Sequence, residues 1–328
     1  MFSLDAGNTW TRFQSMPGWT GGGFGPAVAV SADGRFIATG DEKGISVLNV
    51  SLGSWVRDSN TYGANWESIA CSADGRIMVA AAELDVAYIS TSWGTNWLRL
   101  GFMPLRTWVS IACSADGTKV ALAGFNAPTY ISTNSAATWY PANAATNCWL
   151  VNMSADGSKV TASGPNTNAF FTSTDYGVTW TTNYMLQPTV HLISSSPDGT
   201  ALAGTDSTNL WRSTDSGATW TNFGPVAKYR GCTLSADGNV LAGQRNDTNI
   251  WIARYTPMPR LAIAPRNTNV QLSWTVPSAP FVLQGNTDIT TTNWVTLTNL
   301  PSLNLSNLHN QVSLPQIGNQ GFYRLRTP

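Results

Sequence analysis

The chain has 328 residues with 42% hydrophobic content, and only 11% of its residues are charged, 18 of them Lys or Arg and 18 Asp or Glu. This length and composition allow a sizeable core in more than one domain. The balanced, sparse charge excludes the basic surface that holds nucleic acid and the cationic face that binds an anionic membrane. We therefore expect neither a nucleic-acid partner nor insertion into a membrane.

A tetrapeptide repeat organises the first three quarters of the sequence. It reads Ser-Ala-Asp-Gly, or Ser-Pro-Asp-Gly in one copy, and recurs at intervals of 41, 42, 40, 42 and 39 residues. The six copies begin at Ser31, Ser72, Ser114, Ser154, Ser196 and Ser235. A period of about 40 to 45 residues, with short strands between turns, is typical of a β-propeller with one four-stranded blade in each repeat.

A second repeat, S-x-D-x-G-x-x-W, alternates with the first. Full copies begin at Ser3, Ser173 and Ser213, and degenerate copies begin at Asn49, Ser90 and Ser132. The pattern resembles the Asp-box of the sialidase-like, BNR-repeat propellers, and its copies cover residues 1 to about 255. The resemblance implies the propeller scaffold for this region.

Both motifs have a physical role in turns. The carboxylate accepts hydrogen bonds from turn amides, the glycine supplies a positive φ, and the tryptophan of the second motif anchors its turn by burying a large ring. We therefore assign a structural role to nine aspartates: Asp5, Asp175 and Asp215 in the second motif, and Asp33, Asp74, Asp116, Asp156, Asp198 and Asp237 in the first.

One repeat shows the expected order of elements. Strands are predicted at residues 66–71, 76–81, 87–90 and 97–100, running from the innermost to the outermost position of the blade, because small and branched residues alternate there. The sixth repeat lacks its outer strand, since Pro257 and Pro259 stand in its place. Residues 10–14 follow an S-x-D-x-G-x-x-W turn with no blade before it, so we expect this N-terminal strand to complete the sixth blade and close the ring.

From residue 256 the repeat stops. Five apolar alternations, at residues 270–274, 281–284, 294–297, 311–314 and 321–325, are separated by Asn, Thr, Pro and Gly turns. They predict a small antiparallel β-sandwich of the fibronectin or Ig-like kind over residues 256–328, after a six-bladed propeller over residues 1–255. The segment also resembles the C-terminal domains of secreted Verrucomicrobia proteins, which implies an attachment or sorting module.

The cysteines and histidines do not predict a metal site or a cofactor. Cys71, Cys113 and Cys232 align with positions that carry small hydrophobic residues in other blades, which favours buried free thiols. Cys148 lies at a strand entry, and we expect it to be partly exposed. The two histidines, His191 and His309, have no partners at zinc-ligand spacing.

The composition is typical of an exported bacterial protein, because Thr, Asn and Ser replace charged residues on the predicted surface. No signal peptide and no membrane-spanning run is apparent in this sequence. We expect a secreted or cell-surface location. The sequence contains no pattern that specifies an oligomeric state.

The candidate ligand site lies at the channel mouth, where each innermost strand begins. Residues five or six positions before each tetrapeptide vary between blades, while most other positions repeat. The candidates are Trp66, Glu67, Trp108, Trp149, His191, Tyr229 and Arg230. Aromatic rings there can stack on sugars while the charged groups form hydrogen bonds; the alternative is that Trp66, Trp108 and Tyr229 only plug the channel.

No catalytic residue is assigned. Glycoside hydrolysis generally uses two carboxylates that face each other, and Glu67 with Glu83 or Asp85 is the one pair that we place near the mouth. Sialidases also carry an Arg-Ile-Pro start, three arginines and a Tyr–Glu pair, and these do not map here, since Arg12 is followed by Phe and Gln. We expect a secreted protein that binds a carbohydrate or an extracellular protein. The alternatives are a polysaccharide hydrolase or lyase using the same mouth, and a structural subunit of a cell-surface assembly.

Overall fold

The computed structural model describes residues 27–41, 43–101, 106–164, 169–184, 191–206, 208–223, 226–245, 250–254, 260–275, 281–307, 309–315 and 321–326. Within these ranges the regular elements are β-strands and one 3₁₀ turn at Ser59–Thr61. The all-β prediction is confirmed. None of these residues belongs to a helix long and apolar enough to cross a membrane.

The first three sheets each contain four antiparallel strands in chain order. Sheet 1 contains β1 (Ala27–Val30), β2 (Phe36–Asp41), β3 (Gly44–Asn49) and β4 (Ser54–Arg57). Sheet 2 contains β5 (Asn65–Cys71), β6 (Met78–Glu83), β7 (Ala87–Ser90) and β8 (Leu98–Arg99). Sheet 3 contains β9 (Trp108–Cys113), β10 (Val120–Gly124), β11 (Pro128–Ser132) and β12 (Tyr140–Thr146).

The next three sheets continue the same topology, and the sixth has three described strands. Sheet 4 contains β13 (Leu150–Met153), β14 (Val160–Ser163), β15 (Ala169–Ser173) and β16 (Thr181–Tyr184). Sheet 5 contains β17 (His191–Ser195), β18 (Leu202–Thr205), β19 (Leu210–Ser213) and β20 (Thr221–Asn222). Sheet 6 contains β21 (Tyr229–Leu234), β22 (Val240–Arg245) and β23 (Ile250–Arg254).

The predicted strand order within a repeat is confirmed, with small shifts of the boundaries. In sheet 2 the second strand begins at Met78, two residues later than expected, because the turn that follows Ser72 extends to Ile77, whose N–H donates to the Ser72 hydroxyl over 2.9 Å. The outer strand is also shorter than expected, at Leu98–Arg99.

Neighbouring sheets pack through their innermost strands. β1 contacts β5, β5 contacts β9, β9 contacts β13, β13 contacts β17 and β17 contacts β21. Serine hydroxyls bridge several of these pairs: the Ile111 N–H donates to Ser68 Oγ over 3.1 Å, and the Val151 N–H donates to Ser110 Oγ over 3.1 Å. The hydroxyl therefore satisfies a backbone donor that faces the neighbouring sheet.

A chain of backbone hydrogen bonds links the tetrapeptide turns of successive sheets. Ala32 donates to the Ala73 carbonyl over 2.9 Å, Ala73 donates to Ala115 over 2.7 Å, and Ala115 donates to Ala155 over 2.7 Å. Ala155 donates to the Pro197 carbonyl in the same way over 2.5 Å. Because proline has no N–H, Pro197 accepts from sheet 4 but cannot donate to sheet 6.

The glycine of the tetrapeptide has a second role besides its positive φ. A Cβ atom on Gly117 would lie 2.7 Å from the Ile77 Cβ of the preceding sheet, and one on Gly75 would lie 2.8 Å from the Phe36 ring. Gly157, Gly199 and Gly238 meet the preceding sheet as closely. Close packing between sheets therefore requires glycine at this position.

Sheet 1 is more exposed than the other sheets on the face where they contact the preceding sheet. Val28 is 54% exposed, whereas its equivalents Ile69 and Ile111 are 7% and 5% exposed. A Cβ on Gly34 would meet no atom within 4 Å. Residues 1–26, which contain the predicted closing strand 10–14 and Asp5, lie outside the described residues, so closure of a six-bladed ring stays a prediction.

The C-terminal strands form two antiparallel sheets. One has the order β24 (Ala262–Arg266), β25 (Asn269–Thr275), β29 (His309–Pro315) and β28 (Ser302–Asn304). The other has the order β27 (Val295–Thr296), β26 (Val282–Asn286) and β30 (Phe322–Arg326). The five predicted strands are all present, and β24 and β28 are additional.

These two sheets share a core of their own. Leu272, Trp274 and Leu314 from the first sheet pack with Leu283 and Leu325 from the second, and each side chain is less than 9% exposed. Alternating buried residues on facing sheets make a β-sandwich. The assignment of residues 256–328 to a separate fibronectin or Ig-like domain stays a prediction.

The cysteines are free thiols. Cys148 is fully buried, and the expectation of partial exposure is wrong because the chain on both sides packs inward, with Ala145 and Val151 in the same cluster. Burial raises the pKa of the Cys148 thiol to about 11 and that of Cys232 to about 12. Such thiols are poor nucleophiles at neutral pH.

Candidate functional site

The aspartates of the tetrapeptide accept hydrogen bonds within their own turns. In the turn at Ser31, the serine hydroxyl donates to Asp33 Oδ1 over 2.7 Å and the Arg35 N–H donates to the same oxygen over 3.0 Å. The same pair of bonds recurs at Asp74, Asp116, Asp156, Asp198 and Asp237. These carboxylates each hold their own hairpin together through Oδ1.

The S-x-D-x-G-x-x-W turns are built in an equally regular way. In the turn at Ser173, the Thr179 N–H donates to Asp175 Oδ1 over 2.8 Å, and the Trp180 indole N–H donates to the Gly177 carbonyl over 2.8 Å. The Thr179 hydroxyl and N–H lower the pKa of Asp175 to about 2. The turn at Ser213 repeats these bonds, and the turn at Ser132 keeps them with Asn134 in the Asp place.

The S-x-D-x-G-x-x-W turn of sheet 2 has no aspartate of its own. Asp58, from the connection between β4 and β5, supplies a carboxylate to this turn. Ser92 stands in the Asp place, and the Trp97 N–H donates to Asp58 Oδ2 over 2.6 Å. Asp58 also caps the 3₁₀ turn at Ser59–Thr61 by accepting from the Asn60 N–H. The sequence gives no signal for this role, because the two partners are 39 residues apart in the chain.

Glu67 is the one carboxylate of the described residues that neither accepts a hydrogen bond nor forms an ion pair. Asp41 pairs with Arg57 over 3.3 Å, and Asp206 accepts the Trp211 indole N–H over 2.9 Å. Glu83 accepts the Asn65 amide over 3.2 Å. Glu42 and Asp247 lie outside the description. The uncommitted carboxylate is therefore one of the predicted mouth residues.

The surroundings of Glu67 disfavour its charge. Its side chain is half-buried, and burial, together with the nearby charge of Glu83, raises the pKa of Glu67 above its ordinary value. Glu67 also lies at a β-bulge, since the pairing of β5 with β6 shifts between Trp66 and Ser68. Bulges redirect side chains and are common next to functional sites.

Asp85, the other predicted partner of Glu67, accepts hydrogen bonds from neighbouring residues of the fold. It accepts from the Tyr88 hydroxyl over 3.0 Å, from Arg99 Nη2 over 2.6 Å and from the Val86 N–H over 2.8 Å. Its carbonyl accepts from the Arg106 N–H, which joins the hairpin of sheet 2 to the entry of sheet 3. Of the two predicted carboxylate pairs, only Glu67 with Glu83 remains available.

Three of the predicted aromatic residues are buried. Trp66, Trp108 and Tyr229 are 6%, 0% and 5% exposed. Trp66 meets the Tyr88 ring edge-on at 5.0 Å, and Trp108 meets the Tyr130 ring edge-on at 5.7 Å. Their faces are covered by the protein and cannot stack on a sugar, because each ring fills the space that neighbouring glycines, such as Gly40 and Gly124, leave open.

Trp149 differs from these three residues. It is half-buried, and its ring lies 4.5 Å from the ring of Phe125, which is 37% exposed on the hairpin after β10. Next to this pair, the Asn126 N–H donates to Asn147 Oδ1 over 3.2 Å. The indole Nε1 of Trp149 is buried and donates to no described residue. An aromatic surface flanked by amides thus stands at the entry of sheet 4.

The bridges between innermost strands place Glu67 and Trp149 at the same level of the propeller. Ser68 Oγ pairs with Ile111 and Ser110 Oγ pairs with Val151, so the starts of β5, β9 and β13 lie side by side. His191 begins β17 opposite Thr205, and Arg230 lies at a bulge of β21. The side chains of His191 and Arg230 lie outside the description.

Among the residues that the structure describes, no group of three or more His, Cys, Asp and Glu side chains could hold a metal ion. The described side chains at the mouth offer a half-buried carboxylate, a partly exposed aromatic pair and neutral amides.

Comparisons with known proteins identify the fold. No family model matches the chain, and no curated protein matches it. Three solved structures are similar. Kuenenia stuttgartiensis hydrazine synthase has a TM-score of 0.53 at 12% identity, with 70% of this chain and 84% of that chain covered.

The other two structures are a β-propeller domain and a glycosidase. The Myceliophteria thermophila Cps50 (Swd1) β-propeller domain has a TM-score of 0.56 at 12% identity and covers 70% and 82% of the two chains. The GH74 xyloglucanase from Xanthomonas campestris has a TM-score of 0.54 at 14% identity, over 86% of this chain but 46% of its own. At such identities the likeness shows the fold alone: the chain contains a β-propeller.

Proposed function

We propose that this chain is an exported, non-catalytic binding protein whose propeller, of the Asp-box type, recognises a carbohydrate at the channel mouth. The observation that carries the proposal is the position of Glu67. It is the carboxylate that turns and ion pairs leave uncommitted within the described residues, and it stands at the same level as the Trp149 and Phe125 rings.

This combination suits sugar recognition. The partly exposed rings of Phe125 and Trp149 offer apolar surface to the C–H face of a pyranose. A carboxylate accepts hydrogen bonds from hydroxyl groups, and the neighbouring amides both donate and accept. The near absence of net charge suits a neutral ligand rather than a polyanion. The C-terminal sandwich then serves as an attachment module.

The proposal is tested on a glycan array with the full chain. We expect the wild type to bind a subset of neutral glycans, and Trp149→Ala and Glu67→Gln each to lose binding to the same glycans of that subset. Trp93→Ala is the matched control, because Trp93 is 44% exposed on the turn at the opposite end of sheet 2. A blank array, or equal losses in all three variants, would overturn carbohydrate binding at the mouth.

A polysaccharide hydrolase is the second candidate, because Glu67 has a raised pKa beside Glu83. A raised pKa favours the protonated carboxyl group, which can act as a general acid while a second carboxylate acts as base or nucleophile. Release of reducing ends from a panel of neutral polysaccharides, abolished by Glu67→Gln and by Glu83→Gln, would favour the enzyme. Binding without release favours the binding protein.

A further inference from the structure

The C-terminal sandwich contains a cavity of about 630 Å³ that is separate from the mouth. It lies beside the three-stranded sheet, where the loop after β26, strand β27 and the start of β30 meet. Its volume falls within the range of about 300 to 1,000 Å³ that is usual for small-molecule sites. The size alone makes the cavity a candidate ligand site.

The cavity wall is apolar inside and polar at the opening. Leu314 is 7% exposed and Leu297 and Tyr323 are half-buried, whereas Asp288 and Asn293 are exposed. An apolar wall with a few polar groups at its edge is the usual composition of a site that orients a small ligand.

Several polar groups of the lining have no partner among the described residues. The side-chain amides of Asn293 and Asn299 and the hydroxyl of Tyr323 make no hydrogen bond there. Asp288 accepts the Thr290 N–H over 2.9 Å and the Thr290 hydroxyl over 2.7 Å, both at Oδ1, which leaves Oδ2 open. These groups can donate to and accept from a ligand without losing an internal bond.

The loop that carries these groups is held in place by its own hydrogen bonds. The Asn286 amide donates to the Thr291 hydroxyl over 3.1 Å and to its carbonyl over 3.3 Å, and the Thr291 N–H donates to the Asp288 carbonyl over 3.2 Å. A preformed loop reduces the entropy that a ligand must overcome on binding.

Gly285 is a second, independent sign of a ligand. It lies inside β26, paired with Tyr323 on one side and Val295 on the other, where glycine weakens a strand. A Cβ there would lie 3.5 Å from Leu297 Cδ2 and 3.6 Å from Tyr323 Cε1, which is ordinary contact. The backbone therefore does not need glycine at this position. Because glycine has no side chain, it leaves space in the cavity.

We propose that this cavity binds a short neutral saccharide. Amides and a phenol supply both donors and acceptors for vicinal hydroxyls, and Tyr323 with Leu297 supplies an apolar surface for a ring face. The described residues that line the cavity include one carboxylate and no cationic side chain, which disfavours an anionic ligand. This site is independent of the mouth, and either site can bind its ligand without the other.

The test uses saturation-transfer NMR with the full chain and three probes: methyl α-glucopyranoside, methyl α-mannopyranoside and methyl β-galactopyranoside. We expect transfer to at least one probe. In the Trp149→Ala background, in which the mouth does not contribute, Gly285→Val should abolish the signal, because a branched side chain suits the strand and fills the cavity. Gly101→Val is the matched control, since a Cβ on Gly101 meets no atom within 4 Å.

A second variant covers the case in which Gly285→Val does not fold. Asn293→Ala combined with Asn299→Ala removes two exposed amides without touching the core, and it should also lose the signal. Trp149→Ala should keep it, which separates this site from the mouth. The proposal is overturned if none of the three probes gives a signal, or if the double variant binds as the Trp149→Ala protein does when both are compared in that background.

Discussion

The backbone N–H of Ala115 donates to the carbonyl oxygen of Ala155 over 2.7 Å, which joins the tetrapeptide turn of sheet 3 to that of sheet 4. Ala115 in turn accepts from the Ala73 N–H over 2.7 Å. The residue at this position thus donates to the next sheet in sheets 1 to 4 and accepts from the previous sheet in sheets 2 to 5.

We expect Ala115→Pro to lower the free energy of unfolding by about 1 to 3 kcal/mol, because it removes the donor and leaves the Ala155 carbonyl unpaired. Proline fits the turn itself, since Pro197 occupies the equivalent position in sheet 5. Denaturant unfolding measures the loss.

Ala236→Pro is the matched control for this substitution. The Ala236 N–H donates to no other described residue, so proline there removes no hydrogen bond between described residues and restricts the unfolded chain. Its stability should be unchanged or slightly raised. Equal losses at residues 115 and 236 would contradict a role for the bond between sheets.

A comparison of Gly34 with Gly117 distinguishes the cost of backbone strain from the cost of crowding between sheets. Gly34 and Gly117 have φ values of 71° and 70°, but a Cβ meets Ile77 at 2.7 Å only on Gly117. Gly34→Ala should cost about 1 to 2 kcal/mol for the left-handed backbone. Gly117→Ala should cost about 1 to 3 kcal/mol more, because it overpacks a buried contact. Thermal and denaturant unfolding of the two variants should show this difference, and equal costs would mean that the sheets separate easily at this point.

The strand order of the propeller could be predicted because both turn motifs recur at a fixed period, and each motif acts through residues close in sequence. Features that depend on distant residues could not be predicted. Asp58 accepts a hydrogen bond from Trp97, which is 39 residues away in the chain, and the burial of Trp66 depends on the glycine at residue 40. The sandwich cavity depends on loop geometry around Asn286, which has no sequence period.

Part of the candidate site at the mouth could be predicted from the sequence. Glu67 was identified because its position varies between repeats, and the structure adds that it is uncommitted and lies at a bulge. The partial exposure of Trp149 depends on Phe125, a residue of another sheet that the repeat does not mark. Variation between repeats therefore selects candidate positions, but it could not distinguish rings that face solvent from rings that fill gaps.

The tetrapeptide aspartates predict a loss of stability in acid. Burial raises the pKa of Asp198, but the Ser196 hydroxyl, the Thr200 N–H and the Thr200 hydroxyl lower it by more, and the net pKa is below the ordinary value. The pKa values of Asp116 and Asp156 are lowered in the same way. A depressed folded-state pKa contributes stability that is present above about pH 4 and is lost as the pH falls through the folded value.

We therefore expect the free energy of unfolding to fall between about pH 5 and pH 2. Asp198→Asn should show a shallower decline than the wild type, because one of the linked protonations is removed. Urea unfolding at a series of pH values measures both slopes. A stability that stayed constant down to pH 2 would show that these carboxylates are equally well stabilised in the unfolded chain.

The raised pKa of Glu67 predicts the opposite dependence of stability on pH. Burial, and then the charge of Glu83, raises its pKa in the folded chain, so its contribution to stability is present below about pH 4 and is lost as the pH rises through the raised value. We expect Glu67→Gln to be more stable than the wild type at pH 7 and equal to it at pH 4. Unfolding of both proteins at the two pH values gives the comparison, and Glu83→Gln should reproduce part of the gain because it removes the like charge. A variant less stable than the wild type at pH 7 would mean that the folded protein stabilises the Glu67 carboxylate. If the gain is observed, the carboxylate weakens the fold at neutral pH, and its presence at the mouth is then explained by a ligand rather than by packing.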